Sequence, residues 1–521
     1  MFNLSYLTFS DAAKFADLAR NFVLGRGWGS SFSFFSPSIF QQLEKTLFDM
    51  GIFPLTPFFI SLSFRIFGIS DFAVIATSFF FYVLSLVFTF LLSRKIFKSS
   101  LIGFLSLLVV GFNLNLIDYA TSGASEALFI AEILLLFYLL SFKKKVFDLF
   151  SLLVIVLMYF TRAHAFIFIA GALLFWLLLR FDVKKSLFYF SFILILGLLF
   201  DRFVLSSLSG KFFIYSILGG GKYAVLQHNS SWAVSDTLRG LPRQSFDLIS
   251  VLKKVFYNLY NFYKLMPQIM NPYLFALFLI GLFAWGKDRL QNSFKIASLF
   301  MVFLTFLVAA ASIPFFRYIH PVVPLVYILA VGTLVEIISK LEILNSKLKI
   351  SKQKLVIFSS LFLILFFGVG QSVGVLLLDR RFERRVYNFD KPPVYVLLSK
   401  IIKENTDPNE VILTNLDTWG SWYGERRTVW FPLTPKQIIN PENGKIPFDA
   451  IYLTSYKMDD PNYYMGNEWR LIFENPQSPE KWNCEGCDQI AKEFTLKGVY
   501  KVIPDDDYER QGEISIILVK N

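Results

Sequence analysis

Charge is scarce in this chain. Only 17% of its 521 residues are Asp, Glu, Lys or Arg, where a soluble protein carries about 25%. With 55% hydrophobic residues and 62 phenylalanines, that shortage excludes an ordinary soluble globule. Repeated apolar runs of spanning length imply a polytopic membrane protein instead. Cysteine is scarce too: Cys484 and Cys487, in the motif CEGC, are the two in the chain. Two thiols do not close a four-ligand zinc site. A disulfide, two free thiols and a share in a metal site stay open. There is no Gly-rich strand–turn–helix fingerprint for a nucleotide, no solenoid repeat and no signal peptide. The formal net charge of +12 is therefore read through its placement, not as a sign of nucleic acid.

The basic residues fall in alternate short loops. Arg94, Lys95 and Lys98 form one group, Lys143, Lys144 and Lys145 a second, and Arg180, Lys184 and Lys185 a third. Lys287, Arg289 and Lys295 follow, then Lys340, Lys347, Lys349, Lys352 and Lys354. They separate about ten apolar runs between Phe72 and Leu378, one of them Leu101–Ile117. The positive-inside rule puts these loops in the cytoplasm. The opposite, extracytoplasmic side then holds the N-terminal segment, Asp118–Glu126, Arg162–His164, the long loop Ser206–Gln268 and Arg317–His320. It also holds everything after the last run, including Arg380, Arg381, Arg384 and Arg385, which run against the rule and suit contact with lipid phosphates.

Three regions result. Residues 1–71 form an extracytoplasmic loop with two interfacial helices, 72–378 a transmembrane helical domain, and 379–521 a small extracytoplasmic α/β domain. The last rests on a helical pattern over Val394–Asn405 and five short strand-like runs, EVILT, RTVWF, DAIYLT, YKVI and SIILV. Ser10–Gly29, SDAAKFADLARNFVLGRGWG, is amphipathic at helical spacing. Phe15, Leu18, Ala19, Phe22 and Val23 fall on one face; Asp11, Lys14, Asp17 and Asn21 fall mostly on the other. It is too polar to span a bilayer and suits a surface helix, stopped by Gly25 and Gly27. Ser30–Gly51 reads as a polar, aromatic-rich loop. FPLTPFFISLSFRIFG reads as a second surface helix, started by Pro54 and Pro57 and ended by Gly68. No apolar run precedes Asp11 to carry it outward, so the expectation is a span upstream of Met1.

Several polar residues share the outer rim: the acids Asp11, Asp118 and Glu126, and the pairs Arg162 with His164 and Arg317 with His320. Each has an ordinary reading alone. Asp11 and Glu126 suit first turns of helices, and Arg and Tyr are common headgroup anchors. Their coincidence carries the argument. Arg binds phosphate bidentately, and a carboxylate takes a proton from a hydroxyl nucleophile.

Five stretches, in order, resemble the GT-C superfamily of membrane glycosyltransferases, the kind that includes dolichyl-phosphate-mannose–protein mannosyltransferases and the lipid A aminoarabinose transferase. They are SDAAKFADLARNFVLGRGW, FPLTPFFISLSFRIFG, TSGASEALF, TRAHAF and RYIHPVVP, and they cover Ser10 to Ile338. The resemblance implies a GT-C-like membrane fold and inverting transfer of a sugar from a polyprenyl-phosphate donor to a protein or glycolipid acceptor. In that scheme Asp11 is the base and Glu126 shares its role or positions the acceptor. Arg162, His164, Arg317 and His320 bind the donor phosphate, with Asp118 as an additional acid. Membrane lipid is a partner and nucleic acid is not. No cofactor is required, and a divalent metal stays open. Two departures matter. Asp11 is followed by Ala12 where the family often has a second acid, which weakens a two-carboxylate metal site. DTWGSWYGER lacks the Trp-Trp-Asp motif of oligosaccharyltransferases, which argues against en bloc glycan transfer. The competing classes are a lipid-glycan flippase or transporter and a non-enzymatic membrane protein with an outer sensory domain.

Overall fold

The computed structural model describes residues 6–36, 38–49, 53–200, 203, 247–284, 286, 288–344, 352–378, 392–460, 465–503 and 512–521. Arg380, Arg381, Arg384, Arg385, Lys287, Lys347, Lys349 and residues 204–246 lie outside these.

Ala12, Ala13, Ala16 and Ala19 make one side of the opening helix, Ser10–Val23, narrow enough for close packing. They are buried against Ile60 and Phe64 of the second helix, Leu55–Phe67, and against Ala73 and Val74 of the next. The same cluster takes in Leu398, Trp419 and Trp422 from the far end of the chain. Positive φ at Gly25 (73°) and Gly27 (112°) ends the opening helix as expected. Its polar side corrects the sequence reading. Asp17, Arg20 and Asn21 do not face water; they are buried, because protein groups described below satisfy them. The second helix begins after Pro54 and stops at Gly68, whose φ is 78°.

The helical body follows. Asp71–Phe97, Arg289–Ala311 and Phe316–Lys340 are long and apolar enough to cross a membrane. The expected single span Leu101–Ile117 is instead two helices, Ser100–Gly111 and Leu114–Ser122, bent by 64°. Asn113 makes the break, its side chain accepting from the Leu116 N–H as an N-cap. Leu55–Phe67, Ala165–Arg180, Pro272–Phe283 and Lys354–Val369 are shorter apolar helices, and the last three fall on expected spans. Lys145–Thr161 and Ala165–Arg180 form the expected hairpin through Arg162–His164. Leu248–Lys264 is a helix where the sequence reading has loop. Phenylalanines interlock at the centre: Phe129 with Phe168 at 5.2 Å and Phe137 with Phe175 at 5.1 Å.

The remaining structure is a six-stranded sheet. In chain order its strands are β1 (Phe32–Phe34), β2 (Val411–Thr414), β3 (Arg427–Trp430), β4 (Ala450–Thr454), β5 (Phe494–Val502) and β6 (Glu513–Lys520). They lie side by side as β1-β3-β2-β4-β6-β5. The first four are parallel; β6 and β5 are antiparallel. Every strand-like run in the C-terminal sequence is a strand here, and Val394–Asn405 is a helix. β1 was not expected: Phe32 aligns with Thr428 and Phe34 with Trp430, so part of the supposed loop Ser30–Gly51 is an edge strand of a sheet made mostly by the other end of the chain. Cys484 and Cys487 form a disulfide.

Candidate active site

The fold brings the predicted residues together from four places. Asp11 sits in the first turn of the opening helix, Glu126 begins the helix Glu126–Leu140, Arg162 lies in the hairpin, and Arg317 lies in the turn Phe316–Tyr318. Arg317 donates to Asp11 at 2.6 Å. Arg162 pairs with Glu126 at 2.6 Å and donates to Ser125 at 2.9 Å. The Tyr318 ring lies between the two pairs, 5.9 Å from the Arg162 guanidinium and 5.4 Å from that of Arg317. His164 meets the edge of the same ring, with centroids 5.5 Å apart.

The two acids differ in access. Glu126 is 1% exposed, whereas the Asp11 side chain is 42% exposed. Even so, burial is the largest influence on the Asp11 carboxyl and would raise its pKa. The charge and hydrogen bond of Arg317, aided by Lys14 and Arg162, outweigh burial and hold the carboxyl below its ordinary value. Burial lowers Lys14, partly offset by Asp11 and Asp417; its ammonium lies 4.9 Å from the Phe34 ring centroid. Arg317 Nε and His164 Nε2 are buried at the cluster with no hydrogen-bond partner among the described residues.

The other expected residues are less central. His320 is buried and its Nδ1 meets the Tyr119 hydroxyl. Asp118 is half-buried on the same short helix as Tyr119, about 100° around the axis from it. Among the described residues no group of three or more His, Cys, Asp or Glu is placed to hold a metal. Asp11 and Glu126 each face a guanidinium, an arrangement that fits an anionic ligand better than a divalent cation.

Sequence reasoning missed Tyr119, which lies in the field of Glu126, Arg162 and Arg317. It also missed Glu132, whose Oε1 lies 2.9 Å from the Thr161 hydroxyl beside Arg162. An acid within the apolar run EALFIAEILLLF was the available signal. Gly123 was missed as well. Its φ is 78°, and a Cβ there would come within 2.7 Å of Val74 and 3.0 Å of Ala12. Only glycine lets the turn before Glu126 approach the opening helix so closely.

DTWGSWYGER supplies the groups that fix the opening helix. Thr418 donates to the Ser10 carbonyl at 2.7 Å, one residue from Asp11. Arg20 donates to the carbonyls of Ser421 and Trp422 at 2.8 and 2.9 Å and to Asp17 at 2.7 Å. The Ser31 N–H donates to Asp17 at 2.6 Å. Trp422 and Tyr423 both donate to Asp71, and Tyr423 accepts the Leu7 N–H.

Residues 53–201 match the family model of dolichyl-phosphate-mannose-protein mannosyltransferase. No curated protein matches the chain. The structure is similar to an oligosaccharyltransferase from Archaeoglobus fulgidus solved with zinc and sulfate, at TM-score 0.50 and 12% identity. That match covers 94% of this chain and 68% of the other. It is also similar to ArnT from Cupriavidus metallidurans bound to undecaprenyl phosphate, at TM-score 0.49 and 11% identity over 99% of this chain and 94% of that one. The family match is confined to residues 53–201, and the fold shared with the archaeal oligosaccharyltransferase extends over most of the chain.

Proposed function

We propose that this protein is an inverting glycosyltransferase that moves a sugar from a polyprenyl-phosphate donor to an acceptor hydroxyl, on a protein or a glycolipid, at the extracytoplasmic face. One observation carries the reading: two carboxylate–guanidinium pairs converge on one tyrosine, and only one of the carboxylates is open to a ligand.

In this reading Asp11 takes the acceptor proton as the acceptor oxygen forms its bond to the anomeric carbon. The carbon–oxygen bond to the lipid phosphate breaks on the opposite face. The phosphate departs as an anion and needs no strong acid. Arg162 and Arg317 stabilise it; the Arg317 side chain stays 24% exposed while its Nη1 holds Asp11. Glu126, enclosed against Arg162, aims that guanidinium and does not itself meet the acceptor. His164 adds a donor or acceptor at the same edge of Tyr318. His320 acts through Tyr119, whose hydroxyl it meets.

The test is sugar transfer by purified protein in lipid, using a panel of polyprenyl-phosphate sugars. Asp11→Asn is expected to lower turnover by about 10²–10⁴-fold while the protein stays folded and still binds donor. Equal transfer by variant and wild type would remove Asp11 from the role of base.

A further inference from the structure

A cavity lies away from the acid–arginine cluster. It encloses about 1230 Å³, more than the roughly 300–1,000 Å³ of common small-molecule sites. Neither Asp11, Glu126, Arg162 nor Arg317 lines it. Its walls come from the end of the opening helix, the stretch Glu44–Leu47, the Ile69–Asp71 connection and the C-terminal domain.

Its electrostatics are one-sided. Arg20, Arg26, Lys45, Lys403, Arg426 and Arg427 line it, against Glu44, Asp71 and Glu425. Two of those acids are already engaged: Asp71 by Trp422 and Tyr423, Glu425 by Lys403 at 2.7 Å. Several cations keep capacity. Arg26 is exposed and makes no ion pair among the described residues. Lys45 meets only the exposed Asp49, a pair of little worth in water. Arg427 lines the cavity, gives Nη2 to the Leu43 carbonyl and meets no carboxylate in an ion pair among the described residues; its guanidinium lies 4.9 Å from the Phe48 ring centroid.

The rim is apolar. Leu24 and Ile69 line the cavity and are 49% and 39% exposed. Ile66 and Phe67, just before Ile69, are more exposed still. A basic hollow edged by exposed apolar side chains suits a ligand with an anionic head and an apolar tail.

We infer that this cavity binds the phosphate-bearing head group of a membrane amphiphile, with Arg26, Lys45 and Arg427 on the phosphate and Leu24 and Ile69 against the first carbons of its chains. The site needs no sugar transfer and stands apart from the reaction proposed above.

Isothermal titration of the full chain in micelles tests it with three probes: dihexanoyl phosphatidic acid, dihexanoyl phosphatidylcholine and inorganic phosphate. Wild type is expected to bind phosphatidic acid about tenfold more tightly than inorganic phosphate and to show no saturable binding of phosphatidylcholine. The double variant Arg26→Glu, Lys45→Glu is expected to lose about tenfold in affinity for phosphatidic acid with an unchanged melting temperature. Should that variant unfold, Arg26→Ala, at an exposed turn, is expected to weaken binding in the same direction. Unchanged binding by a folded variant would overturn the site. Phosphatidylcholine binding as tightly as phosphatidic acid would overturn the anionic specificity, and inorganic phosphate doing so would overturn the amphiphile.

Discussion

Asp11 and Arg317 are 306 positions apart in the chain yet form one electrostatic unit. Burial pushes the Asp11 carboxyl up; Arg317, with help from Lys14 and Arg162, brings it below the ordinary 3.8. A depressed carboxyl stabilises the fold above its unfolded pKa, and that stabilisation is lost as pH falls through the folded value. The pair is therefore intact at neutral pH and weakens only below 3.8. Arg317→Gln leaves the burial and removes the strongest opposing influence, so the carboxyl rises. The acid limb of the turnover–pH profile is expected to move to higher pH in this variant, beyond any fall in donor affinity. An unmoved limb would show that Arg317 does not set the protonation of Asp11. Residue types made part of this site legible in the sequence: acids and Arg–His pairs at the ends of apolar runs stand out where charge is rare. Tyr119 and Gly123 were not legible. An aromatic near a span end has an ordinary reading as an anchor, and the need for glycine at 123 comes from Val74 and Ala12, which the chain order does not reveal.

The opening helix shows where element-level reading succeeds and stops. Its period, its glycine stop and its acid in the first turn were all plain, and the helix runs Ser10–Val23. What covers its polar side was not, because amphipathicity says which residues differ, not which face meets water. Asp17, Arg20 and Asn21 pack toward Trp422 and Ser31. Trp422 is the hub: its ring stacks on Phe64 at 6.0 Å, lies 4.9 Å from the Arg20 guanidinium, and its Nε1 reaches Asp71 at 2.7 Å. Trp422→Ala is expected to cost about 3–5 kcal/mol and to lower transfer with it, since the helix carrying Asp11 loses its backing. Chemical denaturation alongside the transfer assay checks both. Full activity in a destabilised variant would separate the clamp from the site. The bend at Asn113 was missed for a related reason: apolar content reads through a break that a single capping side chain imposes.

At the scale of the molecule, the C-terminal strands were legible because alternating and apolar runs bounded by turns are local signals. The parallel pairing of β1 with β3 was not, because it joins segments almost four hundred residues apart. The domain is thus not closed on itself. Without the N-terminal segment it would bare the β3 edge and the buried face of Leu398, Ile402, Trp419 and Trp422. Residues 392–521 expressed alone are expected to aggregate, or to show fast amide exchange along Arg427–Trp430. A monodisperse fragment with protected β3 amides would show that the opening segment leans on the domain without being needed by it.

The same pairing orders events during synthesis. The ribosome makes Asp11 first, but Thr418, Trp422 and the β3 edge that hold its helix come about 400 residues later, roughly 20–80 s at ordinary elongation rates. Until then the helix lacks its backing and the sheet its edge. A chain cut short before Thr418 would carry the acid without the groups that hold its helix. The hydrogen bonds that hold the opening helix thus form only once Thr418–Trp422 have been made.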